Sequence, residues 1–192
     1  LNNASTGPLP ARSVAAQEDW LRRRAEPFRL LDADLFGIME ETRAAVARLV
    51  GADTEEIALM PNTSYGLNVA ATALPLAPGD VIVASDREFP ANVYPWMAQA
   101  ARGARLELVP TTPEGWPDED ALVAALDRPE VRVLAVSWVQ FASGWRADLA
   151  RLGAECRARG KWFVVDAIQG LGALPLDLRA VHVDLLACGG QK

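Results

Sequence analysis

Trp162-Phe163-Val164-Val165-Asp166-Ala167-Ile168-Gln169 decides how the rest of the chain reads. Its four apolar residues form a short buried strand. The strand ends on a carboxylate, which is costly to bury unless it is paired. Just before it, Ala147 to Arg159 has helical patterning and Gly160 closes the helix. The same alternation continues outward. Val131 to Val136, Leu106 to Val109 and Val81 to Ala84 read as strands, and Asp118 to Leu126 as a helix with Asp118 as its cap. Pro90 to Ala101 reads as a helix with proline in its first turn, and Val183 to Ala187 as the last strand. Upstream, Ile57 to Met60 is a strand-like run ending at Pro61, followed by a helix from about Ser64 to Thr72. Strands that are apolar throughout and alternate with helices predict a mostly parallel sheet with helices on both faces, an α/β domain.

The first fifty residues differ. Ala15 to Glu26 and Leu35 to Val50 read as helices separated by Pro27, and Gly51 ends the second. Residues 1–50 are therefore expected to form a helical segment ahead of a sheet domain over 51–192. The sequence lacks an initiator Met and stops at Lys192 straight after a strand-like run, so it is expected to come from a longer polypeptide.

With 25 acidic against 19 basic residues, the net charge of −6 argues against nucleic-acid binding, which needs a basic face. Arg22-Arg23-Arg24 reads as a solvated helix face. No run reaches the length of a membrane span and no signal peptide is visible, so the default compartment is the cytoplasm. Cys156 and Cys188 stand far apart without ligand spacing, and no metal site is expected.

Open parallel sheets bind ligands at the carboxyl ends of their strands, and five places there stand out. Asn62-Thr63-Ser64-Tyr65-Gly66 puts hydroxyls and free amides at a helix start, which is either an anion site or an ordinary cap. Asp166 would pair with a protonated ring nitrogen, or else serve as a cap or salt-bridge partner. Gln169 could donate to a ligand oxygen, or be an exposed loop amide. Phe89, in Glu88-Phe89-Pro90-Ala91-Asn92, could stack on a flat cofactor, or be core. Lys192 follows an apolar strand and Gly189-Gly190-Gln191, where a lysine can act as a nucleophile, or lie at the surface.

The order of these pieces, with Val165-Asp166-Ala167-Ile168-Gln169 and Gly189-Gly190-Gln191-Lys192 the most specific, resembles the class V aminotransferases. These are pyridoxal 5′-phosphate (PLP) enzymes that include cysteine desulfurases, kynureninases and isopenicillin N epimerase-like proteins. The resemblance covers nearly the whole chain, including the opening Leu1-Asn2-Asn3-Ala4-Ser5-Thr6-Gly7-Pro8-Leu9-Pro10. It implies the large domain of the PLP-dependent transferase fold, with a seven-stranded type of sheet and a small domain beyond Lys192. Thr63 and Ser64 would hold the phosphate, Phe89 would stack on the ring, and Asp166 would bind its nitrogen. Gln169 would face the phenolic oxygen, and Lys192 would be the Schiff-base lysine.

An amino acid or related amine is the implied substrate and a homodimer the implied assembly. The reaction would be transamination, elimination or epimerisation at the α-carbon. Many desulfurases carry His where Phe89 stands, so the chain leans toward kynureninase-like or epimerase-like relatives. Gly189 and Gln191 replace a Ser and a His common in the family, so phosphate contact there must be weaker or come from Gln191. The family's usual Asn after a central strand falls in the region of Gln140 and Phe141.

Two rival readings remain. Gly170-Leu171-Gly172 begins like a dinucleotide fingerprint, but the third glycine is missing and Pro175 intervenes. A non-catalytic relative that kept the fold is the other, opposed by the presence of Asp166 and Lys192.

Overall fold

Strand and helix alternation dominates the computed structural model, which describes residues 5–191. The described residues fall into two units, one running to Leu59 and including Gln191, the other Met60–Gly190.

The first unit holds α1 (Ala11–Ala25) and α2 (Asp32–Val50), separated by a 3-10 turn at Pro27–Arg29. Both helices start earlier than their apolar patterning suggests, since Pro10 suits the position before the first turn and the Asp34 carboxylate accepts the Leu31 amide at 3.0 Å. An ion pair of 2.7 Å between Arg23 and Asp34 ties the two helices. Gly51 closes α2 with φ 71°, a left-handed value that favours glycine. The unit continues past Gly51 to Leu59. Arg43 Nη2 donates to the carbonyl of Thr54 at 3.1 Å, so the turn Thr54–Glu56 folds back on α2.

The second unit is a five-stranded, all-parallel sheet in the order β2-β1-β3-β4-β5. The strands are β1 (Val81–Ser85), β2 (Arg105–Val109), β3 (Val131–Ser137), β4 (Trp162–Asp166) and β5 (Leu185–Ala187). Five strands of the expected seven-stranded type thus lie among the described residues. Side chains alternate between two cores. Val81, Val83, Leu134, Val136, Phe163 and Val165 pack against α5 (Glu119–Ala125) and α6 (Leu149–Ala158) through Leu122, Leu149, Leu152 and Cys156. Ile82, Val133, Ala135 and Val164 pack against α3 (Thr63–Ala73) and Trp96 of α4 (Tyr94–Met97). Each fully buried Val, Leu, Ile or Phe contributes about 1.5–3 kcal/mol, which is why runs that are apolar on every residue fold as strands covered on both faces.

Two elements depart from expectation. Ile57 to Met60 forms no strand among the described residues, and Leu59 and Met60 are exposed. A four-residue apolar run cannot by itself distinguish a strand from a connector. Pro90 to Ala101 is not one helix but a 3-10 turn (Pro90–Asn92), the short α4 and a second 3-10 turn (Ala98–Arg102). Pro95 has no amide to donate back to residue 91, so a helix from Pro90 cannot run through it; α4 instead starts afresh at Tyr94, with Pro95 in its first turn, where a missing amide is tolerated. The caps at Asp118 and Gly160 form as expected: the Asp118 side chain accepts the Ala121 amide at 2.9 Å, and Gly160 has φ 62°.

Candidate active site

The sheet changes winding direction between β1 and β3. From β1 the chain moves to β2 on one side, then returns to place β3 on the other. Such a switch point opens a crevice at the carboxyl ends of the strands. Ser137, Asp166 and Ala187 are register partners at those ends, so their side chains stand in a row on one face, the face covered by α3 and Trp96.

Asp166 is 1 % exposed, a carboxylate at the end of an apolar strand. Its Oδ1 accepts the Ile168 amide at 3.0 Å, which fixes the side chain at the mouth of β4. The next turn is held by Gly170, whose hydrogen faces Trp138. A Cβ there would lie 2.4 Å from the indole, so glycine is required for Trp138 to pack beneath the turn. Gln169 is half-buried on that turn.

The start of α3 lies over the same row. A Cβ added to Gly66 would sit 3.0 Å from Cβ of Ala187, so the bare backbone of this glycine brings the first turn of the helix down onto β5. Asn62 caps the helix and accepts the Tyr65 amide at 2.9 Å. The first amides of the helix, at Thr63 and Ser64, have no partner within the helix. Thr63 is buried and Ser64 exposed. A partly positive helix end and two hydroxyls therefore stand over the strand beside a buried carboxylate.

Phe89 is 42 % exposed and is not a core residue. It meets Phe141 edge-on, with ring centroids 5.3 Å apart. Gln191 belongs to the first unit and is exposed. Lys192 lies outside the described residues, as do the first four residues of the opening segment. Thr63 and Asp166 are thus brought to one face of the sheet, with Ser64 on the same helix turn as Thr63.

A cluster beside these residues carried no signal in the sequence. Glu88 is buried, with its carboxylate accepting hydrogen bonds from Ser137, Asn92 and Gln140. Burial pushes its pKa up, against the lowering effect of those hydrogen bonds. Within Asp86-Arg87-Glu88 it reads as one more surface charge, and only the tertiary fold buries it. Gln140, in the region expected to supply a cofactor contact, is also buried, and its Oε1 has no hydrogen-bond partner among the described residues. Burial raises the thiol pKa of both cysteines, to about 12 for Cys156 on the buried face of α6, which keeps that thiol protonated. Among the described residues no group of three or more His, Cys, Asp or Glu could hold a metal ion, and no helix is long and apolar enough to cross a membrane.

The sequence matches the family described as aminotransferase class-V over residues 1–192. It is 33% identical to a probable cysteine desulfurase of Xylella fastidiosa, covering 100% of this chain and 48% of that protein. It is 34% identical to an isopenicillin N epimerase of Streptomyces clavuligerus, covering 100% and 49%. Among solved structures, a mutant of C-DES with glycine covalently linked to its PLP cofactor superposes with a TM-score of 0.88 at 25% identity, covering 98% of this chain and 51% of that one. The chain spans about half the length of the curated relatives it matches. With an α/β fold, a carboxylate and a helix start at one strand edge, and a match along its whole length, the chain belongs to the class V aminotransferase family of PLP-dependent enzymes.

Proposed function

We propose that this chain is the cofactor-binding part of a PLP-dependent enzyme that acts at the α-carbon of an amino acid or related amine. The observation that carries the reading is Asp166. A carboxylate 1 % exposed at the end of β4, beside the strand on which α3 begins, suits a flat cation with an anionic arm. The donor set fits PLP on both counts. The hydroxyls of Thr63 and Ser64 and the first amides of α3 would take the phosphate, and Gln191 is proposed as a further phosphate contact. Asp166 would take the ring nitrogen, Phe89 would stack on the ring, and Gln169 would donate to the phenolic oxygen.

Bound there, PLP supplies an electron sink for charge developing at the α-carbon. Asp166 holds the proton on the ring nitrogen, and its burial strengthens that pairing by keeping water away. Phe89 excludes water from the ring face without offering a titratable group. Lys192, as a neutral amine, would carry the cofactor and then move the α-proton as general base. A homodimer and a cytoplasmic location belong to the same reading. Exposed apolar side chains in the first unit, Phe28, Leu31, Phe36 and Met39 among them, support a protein partner.

The test is borohydride reduction of the PLP-loaded, full-length protein followed by peptide mapping. A pyridoxyl group on Lys192 is expected. An adduct on another lysine, or none in a loaded sample, would overturn the assignment.

A further inference from the structure

Glu88 joins two loops across the switch point of the sheet. Its Oε1 accepts the main-chain amide of Ser137 at 2.9 Å and Nε2 of Gln140 at 3.3 Å, both from the end of β3 and the loop beyond. Its Oε2 accepts the hydroxyl of Ser137 and Nδ2 of Asn92, the latter at 3.1 Å. The orientation of Asn92 follows from chemistry. Trp96, fully buried, gives its indole N–H to Oδ1 of Asn92 at 3.2 Å, and an indole can only donate. The amide nitrogen of Asn92 must therefore face Glu88. Each carboxylate oxygen thus meets a donor that cannot be reversed, the Ser137 amide on one and the Asn92 amino group on the other. A carboxylate satisfies this set, and a neutral amide does not.

What the clasp holds is visible one residue further along each loop. Glu88 is followed by Phe89 and Gln140 by Phe141, and those two rings meet edge-on at 5.3 Å. The buried polar contact between 88 and 140 and the exposed aromatic contact between 89 and 141 lock the same two loops at two levels. We infer that Glu88 is a positioning residue that sets the height and tilt of the Phe89 ring at the candidate cofactor site through its bonds to Ser137, Asn92 and Gln140. The inference rests on the reading of Phe89 as the stacking residue.

The test compares Glu88→Gln in two backgrounds, the PLP-loaded full-length protein and its Phe89→Ala variant, by PLP dissociation constant and by visible circular dichroism of the bound cofactor. The glutamine keeps one carbonyl for the Ser137 amide but turns its amino group toward that of Asn92. One buried donor is left unpaired, and we expect PLP affinity to fall about tenfold. The dichroism band should lose more than half its intensity. With Phe89 already removed, the same change should alter affinity less than about twofold, because the two substitutions act through one ring. Equal losses in both backgrounds, or no loss in either, overturn the inference alone. Failure of the unsubstituted protein to take up PLP overturns the proposed function and the inference with it. If Glu88→Gln does not accumulate as folded protein, Gln140→Met removes one donor from the clasp and is read in the same way. A loss confined to the background that retains Phe89 supports the inference, and any other pattern overturns it.

Discussion

Replacing Gly153 by alanine should destabilise the protein although the substitution favours helix. Gly153 lies inside α6, buried against the segment leading into β5. A Cβ there would stand 2.2 Å from the carbonyl oxygen of His182 and 3.2 Å from its carbon. Non-bonded heavy atoms settle near about 3.5 Å, so α6 and the His182 backbone must separate by roughly 1 Å. The obstacle is main chain and cannot rotate aside. Overpacking of this kind costs about 1–3 kcal/mol. Against it stands the intrinsic gain of about 1 kcal/mol from Gly to Ala in a helix. Because the neighbour is backbone, the upper half of the cost range applies, leaving a net loss of about 1–2 kcal/mol. For a domain of this size that lowers the thermal midpoint by about 3–6 °C. Gly37, inside α2, is the matched control, since a Cβ added there would meet nothing within 4 Å. There the helix gain is unopposed and Gly37→Ala should leave stability equal or higher. Thermal melts of the two variants and the parent settle the matter. A Gly153→Ala protein that melts at or above the parent would refute the contact argument.

Asp166→Asn keeps the shape of the side chain and its acceptor for the Ile168 amide, but loses the charge that the proposed function assigns to holding a ring proton. Turnover of an amino-acid substrate should fall by about 10²–10³-fold, with the melting midpoint within a few degrees of the parent. Normal turnover in that variant would count against the role given to Asp166. L-Cysteine should be a poor sulfur donor for the full-length enzyme, since Phe89 offers no proton where many desulfurases carry His. Efficient sulfide release, followed with a colorimetric sulfide assay, would contradict this.

The sheet is legible in the sequence because its strands are apolar on every residue, and the only structure that buries both faces of such strands is a sheet covered twice. Asp166 is legible for the converse reason: a charge at the end of an apolar strand needs a partner. The break in the segment after Pro90 is harder to see. A proline in the first turn of a helix is tolerated, and only the position of Pro95 further inside cuts the amide ladder. Ile57 to Met60 misleads because four apolar residues do not encode a partner strand. Glu88 is invisible for a deeper reason. Its burial depends on Ser137, Gln140, Asn92 and Trp96 converging from separate segments, and no local pattern around residue 88 records that convergence. Gly66 and Gly153 are similar cases, where the need for glycine comes from a neighbour far along the chain.

The strand order bears on how the chain can reach this fold in time. No pair in the sheet is a hairpin, so each must close a long loop before its contacts form, and sheets of this type fold slowly. In the order β2-β1-β3-β4-β5, however, each strand after β2 joins at an open edge: β3 on β1, β4 on β3 and β5 on β4. Among the described strands, none has to be inserted between two that are already paired. These five strands can therefore be laid down in the order in which a ribosome releases them, each finding its edge waiting. Only the newest apolar segment is left exposed at any moment, which limits the interval in which it could pair with the wrong partner.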